Sequence, residues 1–338
     1  MSLIKSISGI RGTIGGHVGE NLTPLDIVKF TAAFATIICD GKTTPRMVVG
    51  RDGRISGSMV QQLVMQTLVG LGVEVIDLGL STTPTVELAV PAEKAAGGII
   101  ITASHNPQEW NALKLLNAEG EFIDAEVGRK VLQLAEKDQF QFATVEKLGS
   151  IVSKDYLATH IDAIINYPLV DAALIASRQL KVVVDAINST GATYVPALLK
   201  KLGVQEVIVI NEKINGQFAH NPEPLPEHLR GLCEEVVRQG ADLGIAVDPD
   251  VDRLCFVNED GTLFGEEYTL VAVADYILSK RKGNTVSNMS STKSLREVTI
   301  SRGGVYTPAA VGEVNVVKKN ERYPCCYWRG GKWGNYCS

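Results

Sequence analysis

Gly98-Ile99-Ile100-Ile101-Thr102-Ala103-Ser104-His105-Asn106-Pro107 reads as a buried strand that runs directly into a loop of small and polar residues. The segments before it alternate between two periodicities. Apolar residues over 26–39 fit a helix, with Thr23 placed to cap it and Pro24 at its first position. The strand Met47-Val48-Val49-Gly50 follows, then a helical pattern over 58–71 leading into Val73-Glu74-Val75-Ile76-Asp77. A further helix over 85–92 leads into the isoleucine strand itself. Repeated helix and strand alternation of this kind predicts an α/β layer with a mixed, mostly parallel sheet.

The alternation starts again after residue 150, with a helix over 154–166, the strand Lys181-Val182-Val183-Val184-Asp185 and a helix over 192–202. The strand Glu206-Val207-Ile208-Val209-Ile210, a loop holding Pro222, Pro224 and Pro226, a helix over 227–239 and the strand Leu243-Gly244-Ile245-Ala246-Val247 complete a second unit of similar plan. A third starts near Cys255-Phe256-Val257 and continues through a helix over 268–279. The expected organisation is therefore α/β domains in tandem: 1–150, 151–254, and a partial third over 255–318, with 319–338 standing apart.

Composition narrows the class. An apolar fraction of 45% suits a folded, core-forming chain. The apolar runs are strand-sized, too short for a membrane span, and Met1-Ser2-Leu3-Ile4-Lys5 opens no signal peptide, so the expectation is a cytoplasmic protein with no membrane partner. A net charge of −5 and a pI near 5.7 argue against nucleic acid, which calls for a basic face. An anionic ligand must then be held by local basic residues. Cys39, Cys233 and Cys255 lack metal-site spacing and read as buried reduced thiols. No sequence signal fixes the oligomeric state.

Ser104 lies at the carboxyl end of a strand, the edge at which open α/β sheets usually bind ligands. Two readings fit its local chemistry: a hydroxyl that caps a turn, or one that carries phosphate, with donors from His105, Asn106 and Lys114. Lys114 is either a solvated lysine on a strand or a general acid or base with a pKa lowered by burial or neighbouring positive charge. Further on, Asp248-Pro249-Asp250-Val251-Asp252-Arg253 alternates carboxylates after a strand. In an extended segment alternate residues point the same way, so the run is an acidic surface turn or a site for a hard divalent cation such as Mg2+. The glycine and terminal glutamate of an EF-hand loop are missing.

The run Thr102-Ala103-Ser104-His105-Asn106-Pro107, followed by Asn111 and Lys114, resembles the active-site loop of the α-D-phosphohexomutase family; many members have glycine where this chain has Ala112. The aspartate run resembles that family's Asp-x-Asp-x-Asp-Arg metal loop. Gly9-Ile10-Arg11-Gly12, after Ser8, resembles its Gly-Ile-Arg-Gly turn, and Gly50-Arg51-Asp52-Gly53-Arg54-Ile55-Ser56-Gly57 a further arginine-bearing run. The resemblance implies a mutase that moves phosphate between the 1- and 6-positions of a hexose phosphate through phospho-Ser104, with a hexose 1,6-bisphosphate as intermediate and activator. It implies Mg2+ bound by Asp248, Asp250, Asp252 and the Ser104 phosphate, and Lys114, Arg11, His105 and Arg253 as catalytic neighbours. Asn111 falls to substrate binding. Arg54 and Asp52 suit either the active site or a structural salt bridge, and His220 is left outside the site.

The family's third domain chooses the sugar, and Gly312-Glu313 resembles the phosphoglucosamine mutases more than the glucose and mannose mutases, which commonly carry Gly-His. The ending that holds Cys325, Cys326 and Cys337 reads differently. Back-translated and shifted by one base, the tail Cys326–Cys337 permits a Gly-Gly-Glu-Gly-Asn-Gly-Gly run of the family's sugar-binding kind, so 319–338 is expected to be a frameshifted, non-native tail. The expected shortened chain lacks the family's fourth, phosphate-anchoring domain and is expected to turn over little substrate.

Overall fold

The computed structural model describes residues 2–6, 9–311, 315–317, 319 and 327–328. Chain order is β1 (Ile4–Ser6), β2 (Gly9–Thr13), α1 (Pro24–Ile38), β3 (Arg46–Arg51), α2 (Gly57–Gly70), β4 (Glu74–Leu80), α3 (Thr83–Ala92), β5 (Gly97–Ile101), β6 (Trp110–Leu116), α4 (Ala125–Lys137) and β7 (Ile151–Ser153). These strands form one sheet in the order β1-β2-β6-β5-β3-β4-β7. β5, β3, β4 and β7 run parallel, while β6, β2 and β1 pair antiparallel along the other side.

Alternate residues of the central strands serve different cores, as a sheet buried on both faces requires. Met47, Val49, Ile99 and Ile101 pack with Phe30 and Phe34 of α1, Val64 and Leu68 of α2, and Val131 of α4. Val48, Ile76 and Ile100 pack on the other face with Val86 and Val90 of α3. Fully burying one such side chain is worth about 1.5–3 kcal/mol. α1 starts where the sequence places it: Thr23 and Asp26 form a reciprocal cap and Pro24 occupies the first turn.

The second unit holds α5 (Leu157–Ile165), α6 (Ala172–Ser177), β8 (Lys181–Asp185), α7 (Gly191–Lys201), β9 (Glu206–Ile210), α8 (Arg230–Gln239), β10 (Leu243–Val247) and β11 (Leu254–Asn258). Its sheet runs β11-β10-β8-β9, parallel except for β11. Val183 and Ala246 pack with Leu232 and Val236 on one face; Val182, Val184 and Ile245 pack with Leu199 on the other. α9 (Glu266–Lys280), β12 (Thr285–Asn288), α10 (Lys293–Ser301), β13 (Tyr306–Ala309) and β14 (Tyr327–Trp328) form a third, with β12 between β13 and β14.

Two expected joins are corrected. β7 pairs with β4, so the first sheet extends past residue 150, and β11 closes the second sheet, so a cut at 254/255 passes through a strand. β11 doubles back antiparallel on β10 as an edge, and helix and strand alternation, which identifies parallel crossovers, carries no signal for such a strand. Cys255 is buried, whereas Cys39 and Cys233 are only partly so. No helix among the described residues is long and apolar enough to cross a membrane.

Candidate active site

β5 delivers Ser104 to the edge of the first sheet, and β10 delivers the aspartate loop to the edge of the second. Ser104 sits at φ +50° and Val251 at φ +61°, both in the left-handed region. For a β-branched valine this is a real departure from preferred geometry, of a kind that costs about 1–3 kcal/mol and persists only when the surroundings hold it. The two loops meet: Ser104 Oγ donates to Asp248 Oδ2 at 2.7 Å. His105 Nδ1 lies 3.4 Å from the same Oγ.

Arg11, Thr102, Ala103, Ser104, His105 and Lys114 line a cleft of about 310 Å³. Strand register explains the grouping. Arg11 pairs with Ala112 and Gly9 with Lys114, so Arg11 and Lys114 share a face across the small Ala112. A side chain at Gly9 would put a Cβ 2.5 Å from the Leu113 carbonyl oxygen, which accounts for the glycine there.

Asp248 and Asp250 are completely buried, and Asp252 is exposed at the rim. Asp248 Oδ1 accepts the backbone N–H groups of Asp252 and Arg253, each at 3.1 Å. Asp250 Oδ2 accepts from Thr83 Oγ1 at 2.6 Å and from Lys114 Nζ at 2.6 Å, and Lys114 Nζ also donates to Asp252 Oδ2 at 2.8 Å. Burial and the two neighbouring carboxylates raise the Asp248 carboxyl well above the ordinary range. Burial also works to raise Asp250, but the Lys114 ammonium outweighs it and holds that carboxyl at about 2.

The donor set fits a divalent cation. One oxygen each from Asp248, Asp250 and Asp252 lie within 4.8 Å of one another. Asp250 Oδ1 is buried with no hydrogen-bond partner, a state that costs about 1–3 kcal/mol unless something fills it. With all three carboxylates ionised, as a bound cation would require of the raised Asp248, the charge against the single ammonium of Lys114 would be −2, the amount a divalent cation balances.

Residues 3–142 match the family model described as phosphoglucomutase/phosphomannomutase, alpha/beta/alpha domain I, and residues 158–261 match domain II of the same family. A Methanopyrus kandleri protein named as a probable phosphoglucosamine mutase is 32% identical over 95% of this chain and 68% of its own length. The chain belongs to the α-D-phosphohexomutase family. Another relative, named phosphoglucomutase/phosphomannomutase, comes from Thermococcus kodakarensis and is 37% identical over 87% of this chain and 64% of its own length. The chain thus spans about two thirds of these curated relatives. A solved structure of a phosphoglucomutase/phosphomannomutase family protein from Burkholderia thailandensis has the same fold, with a TM-score of 0.80 at 23% identity over 96% of this chain and 71% of that one.

Several residues lie differently from expectation. Lys114 was expected to have a lowered pKa; burial does act that way, but Asp250 and Asp252 reverse it and raise the value well above that of an ordinary lysine. Asn111 is fully buried and faces away from the cleft, its Nδ2 donating to Ser56 Oγ at 2.9 Å and its Oδ1 accepting from the Ala112 N–H at 2.8 Å. Arg253 Nη1 pairs with Glu223 Oε1 at 2.6 Å. Burial, then the nearby Arg253 charge, lower the His105 pKa. Gly312 and Glu313 lie outside the described residues, as does the expected tail apart from residues 319 and 327–328.

Arg54 and Asp52 resolve to a structural pair. Arg54 donates to the carbonyl oxygens of Ser104, Asn106, Pro107 and Trp110, and so fixes the curve of the serine loop from within. Sequence reasoning missed Thr83, Ser189 and Glu223. Ser189 Oγ accepts from the Gly53 N–H at 2.9 Å and donates to the Pro249 carbonyl at 2.6 Å, bridging the two units beside the metal loop. The Thr82-Thr83-Pro84 run signals a helix start, the role Thr82 fills as N-cap of α3; nothing in it signals a contact to Asp250.

Proposed function

We propose that this site belongs to a phosphohexose mutase in which phospho-Ser104 donates its phosphoryl group to a hydroxyl of a hexose monophosphate. The new P–O bond to the sugar oxygen forms as the bond from phosphorus to Ser104 Oγ breaks, and the proton released by the sugar hydroxyl ends on Ser104 Oγ, which leaves as the free serine hydroxyl. The resulting hexose 1,6-bisphosphate reorients and returns its other phosphate to Ser104. The observation that carries this reading is the 2.7 Å contact between Ser104 Oγ and Asp248 Oδ2, which brings a nucleophile-sized hydroxyl from one unit to a carboxylate triad on another.

Asp248, Asp250 and Asp252 would hold Mg2+, which when bound would supply positive charge to offset the phosphate dianion. Arg11 offers a planar fork suited to phosphate, and Lys114 brings a proton and a charge to the cleft floor. Glucosamine 6-phosphate and glucosamine 1-phosphate are the first choice of substrate, supported by relatives named for that reaction. Glucose and mannose phosphates are the second, favoured by the 37% identity to the Thermococcus kodakarensis protein. Gly312 and Glu313 in the third unit are assigned to sugar choice.

Peptide mass spectrometry after incubation with Mg2+ and glucose 1,6-bisphosphate tests the reading. One added phosphate at Ser104, lost in Ser104→Ala, is expected; a chain that takes phosphate elsewhere or not at all overturns it. Phosphorus NMR with each sugar 6-phosphate then separates the two substrate choices.

A further inference from the structure

We infer that Thr83 is the positioning residue that aims Asp250 at the metal, an inference that rests on the reading of the aspartate triad as a cation site. The two oxygens of the Asp250 carboxylate are in opposite states. Oδ2 is saturated by Thr83 Oγ1 and Lys114 Nζ, each at 2.6 Å, while Oδ1 is buried without a partner. A carboxylate is planar, so fixing Oδ2 fixes where Oδ1 points. The free oxygen is the ligand, and the donors on its twin decide its direction.

Of the two donors, Thr83 has the geometry of a clamp. Its backbone N–H donates to the Asp250 carbonyl at 2.9 Å while its hydroxyl holds the side chain, so a single residue grips both ends of the ligand. Thr83 is the first residue of α3 and is 2% exposed, so packing of α3 against β3 and β5 sets its position. Lys114 acts differently: its ammonium is shared with Asp252 and contributes charge as much as direction. Thr83 is uncharged and lines no part of the described cleft, so its effect passes through Asp250 alone.

Partners that orient a metal ligand typically govern about 10- to 100-fold in metal affinity. The test is Mn2+ binding, read by electron paramagnetic resonance as the fall in free ion, for the wild-type chain, Thr83→Val and Thr83→Ser. Valine keeps the branched shape and the backbone donor and removes only the hydroxyl. The expected result is a Thr83→Val affinity about 10- to 100-fold weaker than wild type, with Thr83→Ser close to wild type. Wild-type affinity in a folded Thr83→Val overturns the inference. So does a Thr83→Ser that falls as far as Thr83→Val, because methyl packing and not the hydroxyl is then responsible. If Thr83→Val does not fold, Thr83→Ala supplies the same comparison. A wild-type chain that binds no Mn2+ removes the cation reading itself and the inference with it.

Discussion

Arg54 and Asp52 form an ion pair, 3.0 Å from Nε to Oδ2, in which neither side chain is open to solvent. Asp52 Oδ2 also accepts from Thr102 Oγ1 at 2.7 Å, and the remaining guanidinium donors go to the carbonyls of the Ser104 loop. Removing one partner of a buried pair leaves the other charge uncompensated. Arg54→Met should therefore cost about 3–5 kcal/mol in denaturant unfolding. The double variant Asp52→Asn/Arg54→Met should lose less than the two single losses combined, because no bare charge remains. Equal additivity would show that the pair does not act as a unit.

Gly216 takes φ +67° against the back of the same arginine. A Cβ there would lie 2.5 Å from Ile55 N, 2.6 Å from Gly53 O and 2.7 Å from Arg54 Cα, all rigid backbone atoms. Gly216→Ala combines a left-handed backbone penalty of about 1–2 kcal/mol with a clash that only a shift of 53–55 relieves. The unfolding midpoint should fall clearly, and phosphate uptake at Ser104 should fall with it, since the shift moves Arg54. An alanine variant with an unchanged midpoint would mean that the loop yields freely.

What the sequence showed and what it hid divide along physical lines. The core strands of both sheets and the capped start of α1 were legible because burial and capping are written in consecutive residues. Ser104 and the three aspartates were legible for the same reason, each lying in a short contiguous run. Contacts between distant segments were not. Thr83 reaches Asp250 across 167 residues and Arg54 reaches the Ser104 loop across 50, and neither spacing has a period to detect. The pKa of Lys114 was misjudged because a strand residue carries no sign of which charges fold back onto it.

His220 Nε2 lies 2.9 Å from Asp185 Oδ2, and Nδ1 lies 2.8 Å from the Asn221 carbonyl. Burial lowers the imidazole pKa, but the bond to Asp185, its charge and the Asn221 carbonyl together raise it above the ordinary value. A folded pKa above the unfolded one makes the protonated form stabilising. That contribution is complete below about pH 6.5 and disappears as pH rises through the raised value. His220→Gln should thus destabilise the chain more at pH 6 than at pH 9 in denaturant titrations. A larger loss at pH 9 would reverse the sign and place the neutral imidazole as the stabilising form.

The aspartate triad makes stability depend on the cation. A ligand that binds only the folded state adds RT ln(1 + [L]/Kd), about 2.7 kcal/mol at a hundred times the dissociation constant. Saturating Mg2+ should therefore raise the unfolding temperature relative to a chelator, because it relieves repulsion among Asp248, Asp250 and Asp252 and fills the unpaired Asp250 Oδ1. Asp250→Asn should abolish that increment, since a neutral amide weakens the hold on a hard cation and reduces the excess negative charge. Calorimetric scans of both chains with Mg2+ and with chelator make the comparison. Identical wild-type transitions in the two conditions would mean that Lys114 alone satisfies the loop and that the triad is a salt-bridge network, with no cation required to hold it.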